Sequence, residues 1–214
     1  MTIRLERMIP LPMLEQATSG SGIWEAGSVD FEKGNFYIIR APSGRGKTSL
    51  LSVIYGTRKD YRGEVYLDEE NIATFTARQW SDTRKRRLSF IFQGLELFDG
   101  LTAMENILLK NNITGFRSDA EIRTMAGRLG IEQFLHRKAG ILSFGQQQRV
   151  AIIRALCQPF EYLLADECFS HMDRENTRHA FGLIREVCRQ QGAGLILTSL
   201  NGSEPMDFDR QLEL

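Results

Sequence analysis

The chain has 214 residues, with 27 basic side chains against 27 acidic ones and a formal net charge of zero. That balance argues against nucleic acid held by a basic field, and the length lies near the upper limit of one compact domain with a substantial core. No apolar run approaches the roughly 20 residues that cross a bilayer, and the start "MTIRLERMIPLP" lacks the uninterrupted apolar segment of a signal peptide, so a cytoplasmic protein is expected.

Residues 1 to 22 contain no aromatic side chain, and Trp24 is expected in the core. "FYIIR" (Phe36 to Arg40) is a β-branched and aromatic run that enters a glycine-rich turn, after which "KTSLLSVIY" carries apolar residues at helical spacing. A strand, loop and helix in that order place Pro42, Ser43, Gly44, Arg45 and Gly46 where backbone N–H groups can surround phosphates. Lys47 supplies a mobile positive charge, Thr48 a hydroxyl for Mg²⁺, and Ser49 completes the motif. The first position of the usual glycine pattern is Ala41, which would cost on the order of 1 kcal/mol if its backbone needed a positive φ.

"EVYLD" (Glu64 to Asp68) and "LSFIF" (Leu88 to Phe92) read as strands, and "RKRR" (Arg84 to Arg87) as a solvated helix end. Gln93 follows the second strand, where an uncharged amide can reach a metal or water. From about 99 to 142 the signals are helical, including "DAEIRTMAGRLG", and a helical subdomain inserted into one α/β domain spanning 1–214 is expected. "ILSFGQQQRVAIIRAL" opens a helix with Ser143, so that the hydroxyl and the helix N-terminus can either cap the helix or bind an anion.

"YLLADE" (Tyr162 to Glu167) ends a buried strand with two carboxylates, where a core alone would not favour them. Asp166 can hold a Mg²⁺ water shell and Glu167 can accept a proton from water. "NTRHAFGLIREVCRQQG" is a helix closed by Gly192, and "GLILT" (Gly194 to Thr198) is the last buried strand. Strands alternating with helices imply a mainly parallel sheet. Cys157, Cys168 and Cys188 lack Cys-x-x-Cys spacing, so reduced, packed thiols are expected and no zinc site.

The order of phosphate loop, Gln93, "LSFGQQQR" and "YLLADE" resembles the ATP-binding-cassette (ABC) ATPases over nearly the whole chain. The family's Leu-Ser-Gly-Gly-Gln signature stands here as Leu142, Ser143, Phe144, Gly145 and Gln146. "RRLSFIFQGLELFDGLTAMENILL" looks more specifically like the lipoprotein-release, macrolide-export and cell-division group. The resemblance implies a phosphate-loop α/β core with an antiparallel β subdomain and an inserted helical subdomain. It implies an ATPase that binds ATP and Mg²⁺, with Glu167 as general base and Gln93 and Ser199 beside the terminal phosphate. Thr48, Gln93 and Asp166 would hold the metal. Two chains, identical or not, would sandwich two ATP molecules, with Ser143, Gly145, Gln146 and the Asp173 loop reaching the opposite site. An integral membrane permease is the implied partner, with the chain peripheral at the inner face of the membrane and no nucleic-acid role. The departures are also specific: Ser199 stands where the family has a phosphate-contacting His, Phe144 replaces the first signature Gly, Cys168 and Phe169 replace Pro and Thr, and His171 is incidental. Ser199, Phe144 and Ala41 open a second reading, an ATP-gated dimerisation switch that hydrolyses little.

Overall fold

The computed structural model describes residues 1–14, 20–200 and 207–214. Its strands are β1 (Thr2–Pro10), β2 (Ser28–Glu32), β3 (Phe36–Arg40), β4 (Tyr61–Leu67), β5 (Glu70–Asn71), β6 (Leu88–Ile91), β7 (Tyr162–Asp166), β8 (Gly194–Ser199) and β9 (Arg210–Glu213). Its helices are α1 (Lys47–Ile54), α2 (Ala77–Arg86), α3 (Ala103–Thr114), α4 (Asp119–Arg128), α5 (Phe144–Leu156) and α6 (Arg174–Gln191).

Five strands form a parallel sheet in the order β6-β7-β8-β3-β9. Both faces are covered, which is why β3, β7 and β8 read as continuous apolar runs. Alternation still decides which side chain goes where. Tyr37, Ile39, Tyr162, Leu164 and Ile196 pack with α1 residues such as Leu50 and Leu51, while Ile38, Leu163, Ala165, Leu195 and Leu197 pack with α5 and α6.

The second sheet is antiparallel, in the order β2-β1-β4-β5, and its Ile3, Leu5, Phe31 and Val65 join the α1-side core. The β1–β4 register shifts between Glu6 and Ile9, and Arg7 takes φ 46° there. Gly63 faces this bulge at φ +79°, and a Cβ on it would stand 2.3 Å from the Arg7 carbonyl oxygen, so the bulge admits only glycine opposite. Strands β1, β2, β5 and β9 are additions to the elements read directly from residues; the first three join β4 in the antiparallel part that the family resemblance implied.

Between β6 and β7 the chain runs through α3, α4 and α5, and each starts with a reciprocal capping box: Thr102 with Glu105, Ser118 with Glu121, and Ser143 with Gln146. Gly192 closes α6 in the left-handed conformation, φ 58°, as its sequence position indicates. Cys157, Cys168 and Cys188 are buried free thiols. The RKRR segment is less solvated than expected. Arg84 donates to the carbonyls of Tyr55 and Gly56 at 3.2 and 3.0 Å, and Arg87 bonds Glu161 and Asp68, leaving Lys85 and Arg86 as its exposed members.

Candidate functional site

The carboxyl ends of β3, β6, β7 and β8 converge, the place where open parallel sheets bind ligands. Strand β3 delivers the chain into residues 41–46, and Gly46 caps α1 with φ 93°. Gly46 has no room for a side chain, since a Cβ would meet Met13 Sδ at 2.9 Å and the Trp24 ring at 3.1 Å. Gly44, at φ +80°, has no atom of the described residues within 4 Å of its Cβ position. Trp24 is buried as expected, and its Nε1 donates to the Arg45 carbonyl at 3.4 Å, so it backs the loop. Ala41 has no positive φ, and the methyl group therefore carries no backbone strain.

Lys47 opens α1 with only 4% of its surface exposed. Its Nζ donates to the carbonyls of Ala41 and Pro42 at 2.6 and 3.0 Å and pairs with Glu167 Oε1 at 3.1 Å. Glu167 also accepts from Gln93 Nε2 at 3.2 Å. Thr48 Oγ1 donates to Asp166 Oδ2 at 2.6 Å, so α1 and β7 meet through a hydroxyl and a carboxylate. Asp166 points to this side because it continues the Tyr162, Leu164 alternation of β7.

Sequence reasoning passed over Thr198 as a site residue. Its Oγ1 donates to Asp166 Oδ1 at 2.6 Å and accepts from the Glu167 amide at 3.2 Å. β7 and β8 pair Asp166 with Thr198 directly, and a polar residue ending a buried strand beside an acid was the available signal. Glu167 itself holds φ 47°, a conformation uncommon outside glycine and asparagine, and the Thr198 side chain and carbonyl both bind its N–H. Ser199 is buried, and its carbonyl accepts from Ala41 N at 3.3 Å.

These residues suit a nucleotide with a divalent cation. Asp166 is 1% exposed and its carboxylate is met by two neutral hydroxyls, a donor set that a hard cation's oxygen preference matches. Lys47 is a buried ammonium beside the open backbone of Gly44, where a phosphate would find both charge and N–H donors. Ser49 is engaged otherwise: its Oγ accepts from Arg58 Nη1 at 2.8 Å.

Ser143, Gly145 and Gln146 form a second cluster at the start of α5. Ser143 Oγ accepts from Gln146 N at 3.3 Å and Gln146 Oε1 accepts from Ser143 N at 2.9 Å. Phe144 is the first helical residue, needs no positive φ, and is 43% exposed. Its ring meets His171 edge-on, with centroids 4.4 Å apart, so His171 is a packing partner of this loop. Asp173 caps α6 by accepting from Asn176 N at 2.8 Å, and these bonds to Asn176 hold its carboxyl below the usual range. Arg149 joins the elements, donating to Gly145 O and Asn176 Oδ1.

A family model described as ABC transporter matches residues 25–170. An uncharacterized ABC transporter ATP-binding protein of Mycobacterium tuberculosis is 31% identical over 87% of this chain, which spans 57% of that relative's length. The lipoprotein-releasing system ATP-binding protein LolD 1 of Rhodopseudomonas palustris is 29% identical over 84% of this chain and 81% of its own. Among solved structures, the dimeric bacterial ABC transporter cassette MJ0796 superposes with a TM-score of 0.79 at 27% identity, covering 99% of this chain and 94% of that one. The same cassette bound to ADP and Pi gives the same score.

Proposed function

Since the chain belongs to the ABC transporter family, we propose that it is the ATP-binding and ATP-hydrolysing subunit of an envelope transporter or mechanotransmission complex. The observation that carries this reading is the meeting of Lys47, Thr48, Gln93, Asp166 and Glu167 within hydrogen-bonding range at the strand ends. Lys47 and the amides of residues 42–46 would hold the phosphates, and Thr48, Gln93 and Asp166 a Mg²⁺ ion. The ion, when bound, neutralises phosphate charge. Glu167 would take a proton from water, its carboxylate held by Gln93 and Lys47 and its amide by Thr198.

Two copies closing around ATP would bring Ser143, Gly145, Gln146 and Asp173 of each to the other's phosphate loop. The dimeric MJ0796 cassette supports that arrangement. A membrane permease is the proposed partner, a reading that relatives named as ATP-binding proteins of import and lipoprotein-releasing systems support. Phe98, Leu109 and Ile113 offer it exposed apolar contacts, the last two one turn apart on α3. The LolD relative supports a lipoprotein-release-like complex, in which residues 99–142 would be the helical subdomain facing the permease.

A second reading, an ATP-gated pairing module with little hydrolysis, is favoured by Ser199, a buried hydroxyl that cannot carry imidazolium charge. Steady-state Mg·ATP hydrolysis separates the two. Turnover near 1 s⁻¹ or above, abolished in Glu167→Gln, supports the motor. Tight ATP binding with no Glu167-dependent turnover supports the switch, and activity gained in Ser199→His assigns the loss to the missing imidazole.

A further inference from the structure

Away from the phosphate loop, a cavity of about 300 Å³ opens between the end of α1, the β4 edge and α2. Tyr61, Ile72, Phe75 and Trp80 form its apolar walls, Arg58 and Lys59 are its charged members, and none of the acidic residues among those described lines it.

The main wall is held rigidly. Trp80 is 7% exposed, and a Cβ on Gly56 would stand 2.3 Å from its ring, so the indole lies directly on the backbone at the end of α1. Arg84 stacks its guanidinium 5.1 Å from the indole centroid while bonding the Tyr55 and Gly56 carbonyls. Phe75 meets the indole at 5.2 Å and 57°, and the Thr76–Gln79 capping box fixes the chain between the two rings. Packing of this kind makes an aromatic slot that persists without an occupant.

Its rim carries net positive charge. Arg58 pairs with Asp60 at 2.8 Å, but Lys59 is exposed and has no ion pair among the described residues. The volume is at the low end for ligand pockets, room for one planar ring and a short anionic group and too small for a nucleotide. Arg58 also reaches the other site. Its Nη1 donates to Ser49 Oγ at 2.8 Å, two residues beyond Lys47 in the first turn of α1.

We propose that this cleft is a regulatory site for small aromatic carboxylates, with the ring against Trp80 and Phe75 and the carboxylate at Arg58 and Lys59. An anion that draws Arg58 toward the cleft competes with its bond to Ser49, so occupancy is felt at the phosphate loop. Binding at the cleft does not depend on the nucleotide chemistry proposed above; the coupling does.

The chain has two tryptophans, one at each place. Labelling it with 5-fluorotryptophan gives two fluorine NMR resonances, assigned with Trp80→Phe. Phenylacetate should move the Trp80 resonance saturably. Acetate, which lacks the ring, and benzyl alcohol, which lacks the charge, should each bind about tenfold more weakly or worse, as should phenylacetate to Lys59→Met, a tenfold loss being what one charge-assisted contact supplies. No saturable movement of Trp80, or equal binding of benzyl alcohol, overturns the site. Mg·ATP titrated into the same sample should move Trp24, and a failure there counts against the nucleotide reading alone. With phenylacetate saturating, the Mg·ATP midpoint should rise; an unmoved midpoint overturns the coupling.

Discussion

One buried hydroxyl, Thr198 Oγ1, serves both acids of the β7 end, donating to the Asp166 carboxylate and accepting from the Glu167 amide. Thr198→Val keeps the shape but leaves Asp166 Oδ1 without its donor and releases one hold on a strained residue. Losing such a supporting partner commonly costs 10–100-fold in metal affinity or activity, so about that loss is expected, with more Mg²⁺ needed for half-maximal ATP hydrolysis. Thr198→Ser should stay near wild type. A Mg²⁺ titration of all three proteins checks this, and a valine variant with unchanged metal dependence sinks the idea. The strand, loop and helix from Phe36 to Ile54 were legible because glycines at fixed spacing separate a β-branched run from apolar residues at helical spacing. Thr198 was not, because a threonine ending a strand looks the same whether it is held by an acid or by water. The structural consequence of Ala41 was likewise hidden until its φ was known.

Among the elements, α4 starts on a cap whose carboxylate is sensitive to pH. Glu121 accepts from Ser118 N at 2.8 Å and from Arg117 at 2.9 Å, and these bonds hold its carboxyl down at about 2 against an ordinary 4.5. A depressed carboxyl stabilises the folded state above its unfolded value and loses that contribution as pH falls through its folded one. The cap should therefore be fully effective above pH 4.5 and fade toward pH 2. Thermal melts of the wild type and Glu121→Gln across that window should converge as the pH drops; a constant gap would contradict the assignment. Buried strands and capped helices were readable from periodicity and from Ser, Thr and Gly at their ends. Strand β9 was not: Arg210–Glu213 carries no apolar alternation, and its pairing with β3 makes it a strand. The RKRR run is a helix end as read, with Lys85 and Arg86 exposed, but Arg84 and Arg87 find partners far along the chain, at Tyr55, Gly56, Asp68 and Glu161.

At the scale of the whole molecule, the parallel sheet separates two cores, and the α5–α6 side holds all three cysteines. Burial pushes the Cys157 and Cys188 thiols up to about 12, leaving almost no thiolate at neutral pH. Ellman's reagent should leave both untouched in the native protein and titrate three thiols after denaturation. Rapid native modification of either would mean that this layer opens readily. The parallel core was legible because strands and helices alternate in sequence. The antiparallel sheet entered only by resemblance, since its pairings join β1 to β4 across the phosphate loop and no local pattern reveals them.

The contact between Phe144 and His171 ties together two loops that are distant in sequence, and the Gly145 Cβ position lies 3.4 Å from the His171 carbonyl oxygen. Arg149 fastens the helices behind them. Loops joined in this way cannot be recruited one at a time. If two copies pair as in the dimeric MJ0796 cassette, the free energy of the two loops would arrive largely together, which would steepen the proposed response to nucleotide.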